Sequence, residues 1–234
     1  MSLPPYSPQV REPIIRAPRI VFISIFVLVA IHVATQFLSP QSYDALIEDY
    51  GFVPAHVQAG WSNFGLNGAT LWSLVPFLTY GLLHGGLMHL VVNGLAFLIF
   101  GTVVARRVGA LRFLSLSLVT SVAAALAHLS MHWGDSVPVI GASGAIAGYM
   151  GAASRFMFYD PHHPPTGPDH RLPLLARPVV SFALVWTVLN LAIGLTGFSP
   201  DGSQDLTAWE AHLGGFYAGL LLFPLFDRRR SQIA

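Results

Sequence analysis

Apolar residues in this chain run in long unbroken blocks, without the two-residue alternation of a half-buried strand. A helix needs about 20 such residues to cross a bilayer. Six blocks approach that length: roughly 20–38, 83–105, 110–131, 139–158, 179–196 and 208–226. The expected fold is an all-α membrane protein, a bundle of six transmembrane helices. It divides into an N-terminal segment (1–19), the membrane domain (20–226) and a C-terminal tail (227–234). The first block follows Arg11, Arg16 and Arg19, as a signal peptide would. It is long for one and no small-residue cleavage site follows, so it reads as a retained signal-anchor helix.

The connections differ in kind. Residues 39–82 carry Trp61, Phe64, Trp72, Phe77 and several glycines. They are too apolar for a free loop and too broken to span. A long, partly helical interfacial element is expected there, between spans one and two, with its aromatics at headgroup depth. Residues 159–178 are rich in proline and histidine and read as a plain polar loop. Residues 198–207 are short and polar.

Composition supports a membrane location. Of 234 residues, 53% are hydrophobic and only 10% are charged, against about 25% charged in soluble domains. Too few charges are present to cover a water-soluble globule of this size. There is no cysteine, which excludes disulfides, thiolate catalysis and Cys-type metal sites. The net charge of +1 is uninformative, but its distribution is not. All twelve cationic residues are arginine, and every one falls on the same side of a six-span chain. They precede span one, lie between spans two and three (Arg106, Arg107, Arg112), lie around the link between spans four and five (Arg155, Arg171, Arg177), or follow span six (Arg228–Arg230). The opposite loops carry Asp44, Glu48, Asp49, Asp135, Asp201 and Asp205. The positive-inside rule then puts both termini in the cytoplasm. Five or seven spans would break this segregation. The Arg228–Arg230 run would anchor the last span at anionic lipid headgroups.

Polar side chains inside apolar spans are functional candidates by default, and three groups stand out. Gly141-Ala142-Ser143-Gly144 opens span four. A serine near a helix N-terminus has free backbone N–H groups and the positive dipole end beside it. Such a site can stabilise the oxyanion formed when the hydroxyl attacks a carbonyl. Alone, such a motif in a membrane helix usually serves packing or local hydrogen bonding. Ala211-His212-Leu213-Gly214-Gly215 lies in span six. An imidazole can act as a general base at neutral pH. His212, Gly215 and Gly219 share a helical face, and Gly144, Gly148 and Gly151 offer a matching face on span four, so the two spans can approach closely. Glu210 lies about 200° around the helix from His212 and points elsewhere.

The third group is His84, His89 and Asn93 at the start of span two. His89 and Asn93, at i and i+4, share a face and can both donate. His84 and His89 are about 140° apart on a helix, a poor spacing for one metal. Spans two, four and six would all begin on the non-cytoplasmic side. That brings His84, His89, Asn93, Ser143 and His212 to similar depth, with Ser143 about 6 Å into its span.

These residues resemble the motifs of the rhomboid intramembrane proteases over roughly residues 20–226. The family's Gly-x-Ser-Gly is similar to Gly141–Gly144, its His-x4-His-x3-Asn to His84, His89 and Asn93, and its Ala-His-x2-Gly-x3-Gly to Ala211, His212, Gly215 and Gly219. The resemblance implies a rhomboid-like hydrolase, a serine endopeptidase working by intramembrane proteolysis. Ser143 would be the nucleophile and His212 its base, a dyad without an acid. His89, Asn93 and the Ser143 N–H would form the oxyanion hole. His84 would order the 39–82 element, with Gly141, Gly144, Gly215 and Gly219 as structural neighbours of the site. Single-span membrane proteins would be the substrates, cut near the outer bilayer face, with no metal or other cofactor needed. Lipids are the expected surroundings, nucleic acid is not an expected partner, and oligomeric state is open. The arginine-only composition and proline-rich loop fit a bacterial inner membrane.

Two positions depart from many bacterial members. Trp72-Ser73 stands where those members carry Trp-Arg, and Ala147 stands where they place an aromatic against the histidine. The partner of His212 is therefore open. Competing readings are a non-cleaving relative that binds transmembrane segments, which would lack the serine or histidine, and a histidine-lined transporter. Intramembrane acidic pairs, inverted repeats and His-Glu-x-x-His are all missing from the sequence. His32 and His128 read as structural hydrogen-bonding or interfacial residues, and His162, His163 and His170 as solvated. Asn190 reads as one partner of an interhelical hydrogen bond in preference to the marker of a substrate gate.

Overall fold

The computed structural model describes residues 17–62, 71–167, 170–197 and 208–227. Arg11, Arg16, Asp201, Asp205 and Arg228–Arg230, with Phe64 of the first connection, lie outside them. Among the described residues the regular secondary structure is helical, apart from one isolated β-bridge between Phe52 and Val139. The helices are α1 (Arg19–Thr35), α2 (Pro40–Tyr50), α3 (Pro54–Ser62), α4 (Pro76–Thr79), α5 (Leu87–Val108), α6 (Ala110–Met131), α7 (Ser143–Ser154), α8 (Arg177–Thr196) and α9 (Trp209–Phe226). A π-helical turn at Phe97–Gly101 interrupts α5.

By length and composition, α5, α6 and α8 can each cross a membrane; α1 is apolar but shorter. The apolar side chains they turn outward include Phe26, Leu87, Leu95, Leu111, Leu184 and Leu195. In contact with lipid such groups need no cover. Helix association then rests on close packing and interhelical polar contacts, since lipid tails are as apolar as leucine.

Two element boundaries and the character of one link differ from the hydropathy reading. Span two was expected from Leu83, but α5 begins at Leu87 after a 3₁₀ turn over Tyr80–Leu82 and an extended Gly86. His84 therefore lies before the helix that carries His89. Span four was expected over 139–158, but α7 is a 12-residue helix starting at Ser143. The reason is local. Val139 is held extended by reciprocal 2.9 Å backbone bonds to Phe52. Gly141 then adopts φ +118°, a conformation open to glycine, while its N–H donates to the Tyr80 carbonyl. Ser143 is thus the first helical residue, not one four residues inside. At about 18 Å, α7 is shorter than a hydrocarbon core of about 30 Å. It sits inside the bundle, with Gly144–Tyr149 and Gly151–Ser154 buried.

The third difference concerns residues 159–178. Asp160 and Leu172 are buried there. Arg155 donates from Nε to the Leu172 carbonyl (2.9 Å) and from Nη1 to the Leu220 carbonyl (3.1 Å), tying this link beneath α7 and α9. The Asp160 carboxylate accepts from the His162 N–H and from His163 Nδ1, both at 2.9 Å. These contacts hold its pKa below the ordinary aspartate value, led by the His163 hydrogen bond. The loop is an anchored structure, and its histidines are partly engaged.

Among the described residues of the 39–82 connection, α2, α3 and α4 are helical. Ser39 caps α2 by accepting from the Ser42 N–H. Phe52, Val57, Phe77 and Tyr80 form a cluster with Ala125 and Leu129 of α6. A larger cluster joins α1, α5, α6, α7 and α9, with Tyr149 fully buried at its centre. Its ring stacks on Phe113 at 4.8 Å and meets Phe97 edge-on at 5.4 Å, and its hydroxyl pairs with Ser117.

Candidate active site

The glycine faces of α7 and α9 meet directly. A Cβ on Gly215 would lie 2.1 Å from the Gly144 carbonyl oxygen, and one on Gly219 would lie 1.9 Å from that of Gly148. A Cβ on Gly151 would lie 2.0 Å from the Phe216 carbonyl oxygen. Backbone thus packs on backbone along two turns. This seam fixes the helix that starts with Ser143 against the helix that carries His212.

Ser143 is half-buried at the first position of α7. The first helical amide of α7 to find a carbonyl is that of Ile146, bonded to Ala142. The preceding N–H groups, including that of Ser143, are the open donors of a helix start. His89, on the first turn of α5, reaches the same place. A Cβ on Gly141 would come within 2.7 Å of His89 Nε2. Only glycine leaves room for that imidazole beside the serine turn. Asn93 is buried one turn along α5 and donates from Nδ2 to the His89 carbonyl at 2.9 Å. His84 is buried, with its ring edge-on to His89 at 5.1 Å. Its carbonyl accepts from His32 Nδ1 of α1 at 3.2 Å.

His212 is half-buried on the first turn of α9, three residues before Gly215. Its Nδ1–H donates to Asn190 Oδ1 of α8 at 3.0 Å. Asn190 is 2% exposed, and its Nδ2 donates to the Trp186 carbonyl at 2.9 Å. With the amide nitrogen committed there, the oxygen faces the imidazole. That assigns the proton to Nδ1 and leaves the Nε2 lone pair free. Among the described residues, no hydrogen bond joins Ser143 Oγ to His212. Such bonds are often long before substrate arrives.

The sequence pattern assigns Asn190 to an interhelical bond without identifying its partner. Thr187, Asn190 and Gly194 recur at helical spacing on α8, and each meets α9. Thr187 Oγ1 lies 2.7 Å from the Tyr217 hydroxyl, and a Cβ on Gly194 would strike the Trp209 ring at 2.2 Å. That periodic face was the available signal. Glu210 points away from His212, as its helical phase required, and takes His128 Nδ1 at 2.9 Å on α6.

The far ends of the helices hold the arginines. Arg107 donates from Nε and Nη2 to the two Asp227 oxygens, each at 2.8 Å, and its guanidinium lies 4.4 Å over the Phe156 ring. Arg171 approaches the same carboxylate at 3.5 Å. The end of α5 is thereby clamped to the end of α9.

No curated protein matches the chain. The rhomboid domain profile matches residues 68–229, which takes in α5 to α9 and every motif of the site. The rhomboid family is one of intramembrane serine proteases, and its members act on transmembrane proteins. This chain, with its helices fit to cross a bilayer, is an integral membrane protein and belongs to the rhomboid family.

Proposed function

We propose that this protein is an intramembrane serine endopeptidase that cleaves single-span transmembrane proteins near the outer bilayer face, with Ser143 and His212 as its dyad. The observation that carries the reading is a convergence on the start of α7. Ser143 opens that helix, His89 rests against Gly141, and the Gly144–Gly215 contact holds the His212 helix alongside.

In this mechanism the Ser143 hydroxyl attacks a substrate carbonyl carbon while His212 Nε2 takes its proton. The carbonyl oxygen gains the charge and is met by the Ser143 N–H, His89 and Asn93. Collapse breaks the C–N bond, and His212 returns the proton to the leaving amine. A water, deprotonated by His212, then attacks the acyl carbon, the bond to Ser143 Oγ breaks, and His212 returns the proton to Oγ. Asn190 keeps the imidazole in the tautomer this sequence needs. Both dyad residues are present, which favours cleavage over mere binding of transmembrane segments.

The arginine distribution supports six spans with both termini cytoplasmic, in a membrane such as the bacterial inner membrane. α7 would take its place as an enclosed short span, and helices α2–α4 would lie at the outer interface.

The test is purified protein in liposomes with a single-span substrate, compared with Ser143→Ala and His212→Ala. Cleavage should be lost in both, with thermal unfolding unchanged. Persistent cleavage by purified Ser143→Ala would end the serine mechanism.

A further inference from the structure

Beside the proposed dyad but outside it, two histidines and a carboxylate converge at one end of the bundle. His128 and His132, one turn apart on α6 and its C-terminal cap, stack their rings at 4.4 Å and 16°. Both face Glu210, the second residue of α9. His128 Nδ1 lies 2.9 Å and His132 Nε2 2.5 Å from the same oxygen, Oε1. One ligand atom from each residue can be chosen so that all three lie within 4.8 Å of one another.

Three features distinguish this from an ordinary ion pair. Glu210 is 5% exposed, yet its Oε2 is buried without a hydrogen-bond partner. Leaving an acceptor unsatisfied in that way is costly. Next, the other nitrogen of His132, Nδ1, lies 2.8 Å from Asp135 Oδ2. A carboxylate on the outer ring nitrogen is the usual support of a metal-binding histidine, since it fixes the tautomer and directs the opposite lone pair inward. Finally, metal ligation takes imidazoles in their neutral form, and with them Glu210 and Asp135 supply two negative charges for one divalent cation to balance.

We propose that His128, His132 and Glu210 bind one divalent transition-metal ion of the Zn²⁺ class, bridging α6 and α9, with Asp135 supporting His132. Two imidazole nitrogens and a carboxylate suit zinc, with a fourth position open to water. Tetrahedral bonds of about 2.0–2.2 Å set ligand atoms about 3.3–3.6 Å apart. The two nitrogens need to draw back from the carboxylate by about 1 Å at most, and half-exposed His132 has the freedom to turn. The ion has no part in the proposed cleavage chemistry. It would pin the first turn of α9, two residues before His212, to the end of α6.

The test is Zn²⁺ titration of tag-free protein against a chromophoric chelator, with Co²⁺ absorption as an independent readout and thermal unfolding as a third. One ion per chain is expected, with tetrahedral Co²⁺ bands and a raised melting temperature. Glu210→Gln and His132→Asn should each weaken binding at least tenfold, while a His162→Ala/His163→Ala variant should bind as the parent does. His132→Asn, at the half-exposed edge, decides the matter if buried Glu210→Gln does not fold. Absence of stoichiometric binding by the parent protein overturns the proposal. So does affinity within threefold of the parent in His132→Asn, or binding lost in the His162/His163 variant.

Discussion

Replacing Asn190 by alanine tests how the base is held. The 3.0 Å bond to His212 Nδ1 is that nitrogen's partner, and the amide is almost fully enclosed between α8 and α9. Its removal leaves a buried ring N–H unpaired, at a cost of about 1–3 kcal/mol. It also frees the imidazole to take the tautomer with the proton on Nε2, which cannot accept from Ser143. If that cost falls on the reacting arrangement, it corresponds to about a 5- to 160-fold loss of rate at 1.36 kcal/mol per factor of ten. Water reaching the vacated space would satisfy part of the donor, so about a tenfold fall in kcat is expected. KM should change little, since Asn190 acts on the base and not on the substrate. Asn190→Asp, which keeps an acceptor in place, should retain more activity than Asn190→Ala. The assay is cleavage of a single-span substrate in liposomes over a range of substrate mole fractions, with thermal unfolding measured in parallel. A kcat within twofold of the parent for a folded Asn190→Ala would refute the reasoning.

Three further outcomes are expected. Gly219→Ala forces α7 and α9 apart by about 1.5 Å to restore ordinary contact with the Gly148 oxygen, at or above the 1–3 kcal/mol typical of overpacking; thermal unfolding in detergent should show a fall of several degrees, and an unchanged midpoint would count against the seam. Asp227→Ala leaves Arg107, 13% exposed in its side chain, without its carboxylate and should cost about 3 kcal/mol; the Arg107→Met/Asp227→Ala pair should be less damaged than Asp227→Ala alone, and a strictly additive denaturation cycle would contradict the clamp. Asp160 has a depressed pKa, so its stabilising contribution is fully present above the unfolded-state value and is lost as pH falls through the lower folded value; Asp160→Asn should flatten that acid limb of the stability profile, and an unaltered acid limb would show that the His162 and His163 contacts contribute nothing.

What could be read in the sequence followed from periodicity and from residue type. Long apolar blocks gave helix positions to within a few residues for α6, α8 and α9, because hydropathy averages over many side chains. The same averaging failed at α7. Val139 and Ile140 are as apolar as the helix they precede, but a β-bridge to Phe52, 87 residues upstream, holds Val139 extended. No local window contains that pairing. His84 was misassigned to a helix for a related reason: Leu82 and Leu83 continue the apolar run while the backbone turns. Small residues at helical spacing revealed the close approach of α7 and α9, though not its Gly144–Gly215 and Gly148–Gly219 pairing, because close approach admits few residue types. The partner of Asn190 was not legible, since an amide pairs with nearly any polar group and its sequence position does not say which. The His128–His132–Glu210 cluster was hidden similarly. Its residues are ordinary one at a time, and Glu210 drew attention only as a group turned away from His212.

The two halves of the site are held by different physics. Ser143 begins a helix that is buried along nearly its whole length and joined to α9 by backbone contact, which nothing larger than glycine permits. His212 shares that seam through Gly215, but its ring orientation depends on α8. That helix buries only Val179 and Asn190 and turns most of its surface outward. Its polar and close contacts with α9 are one hydroxyl pair, one amide–imidazole bond and one glycine–tryptophan contact along one face, beside the packing of Phe182 and Trp186 on Phe216. A displacement of α8 that opened this face would therefore withdraw the acceptor from His212 while leaving Ser143 and its open amides in place. The position of the nucleophile is built into the core, whereas the tautomer of its proposed base is set by the least buried of the three helices long enough to cross a membrane.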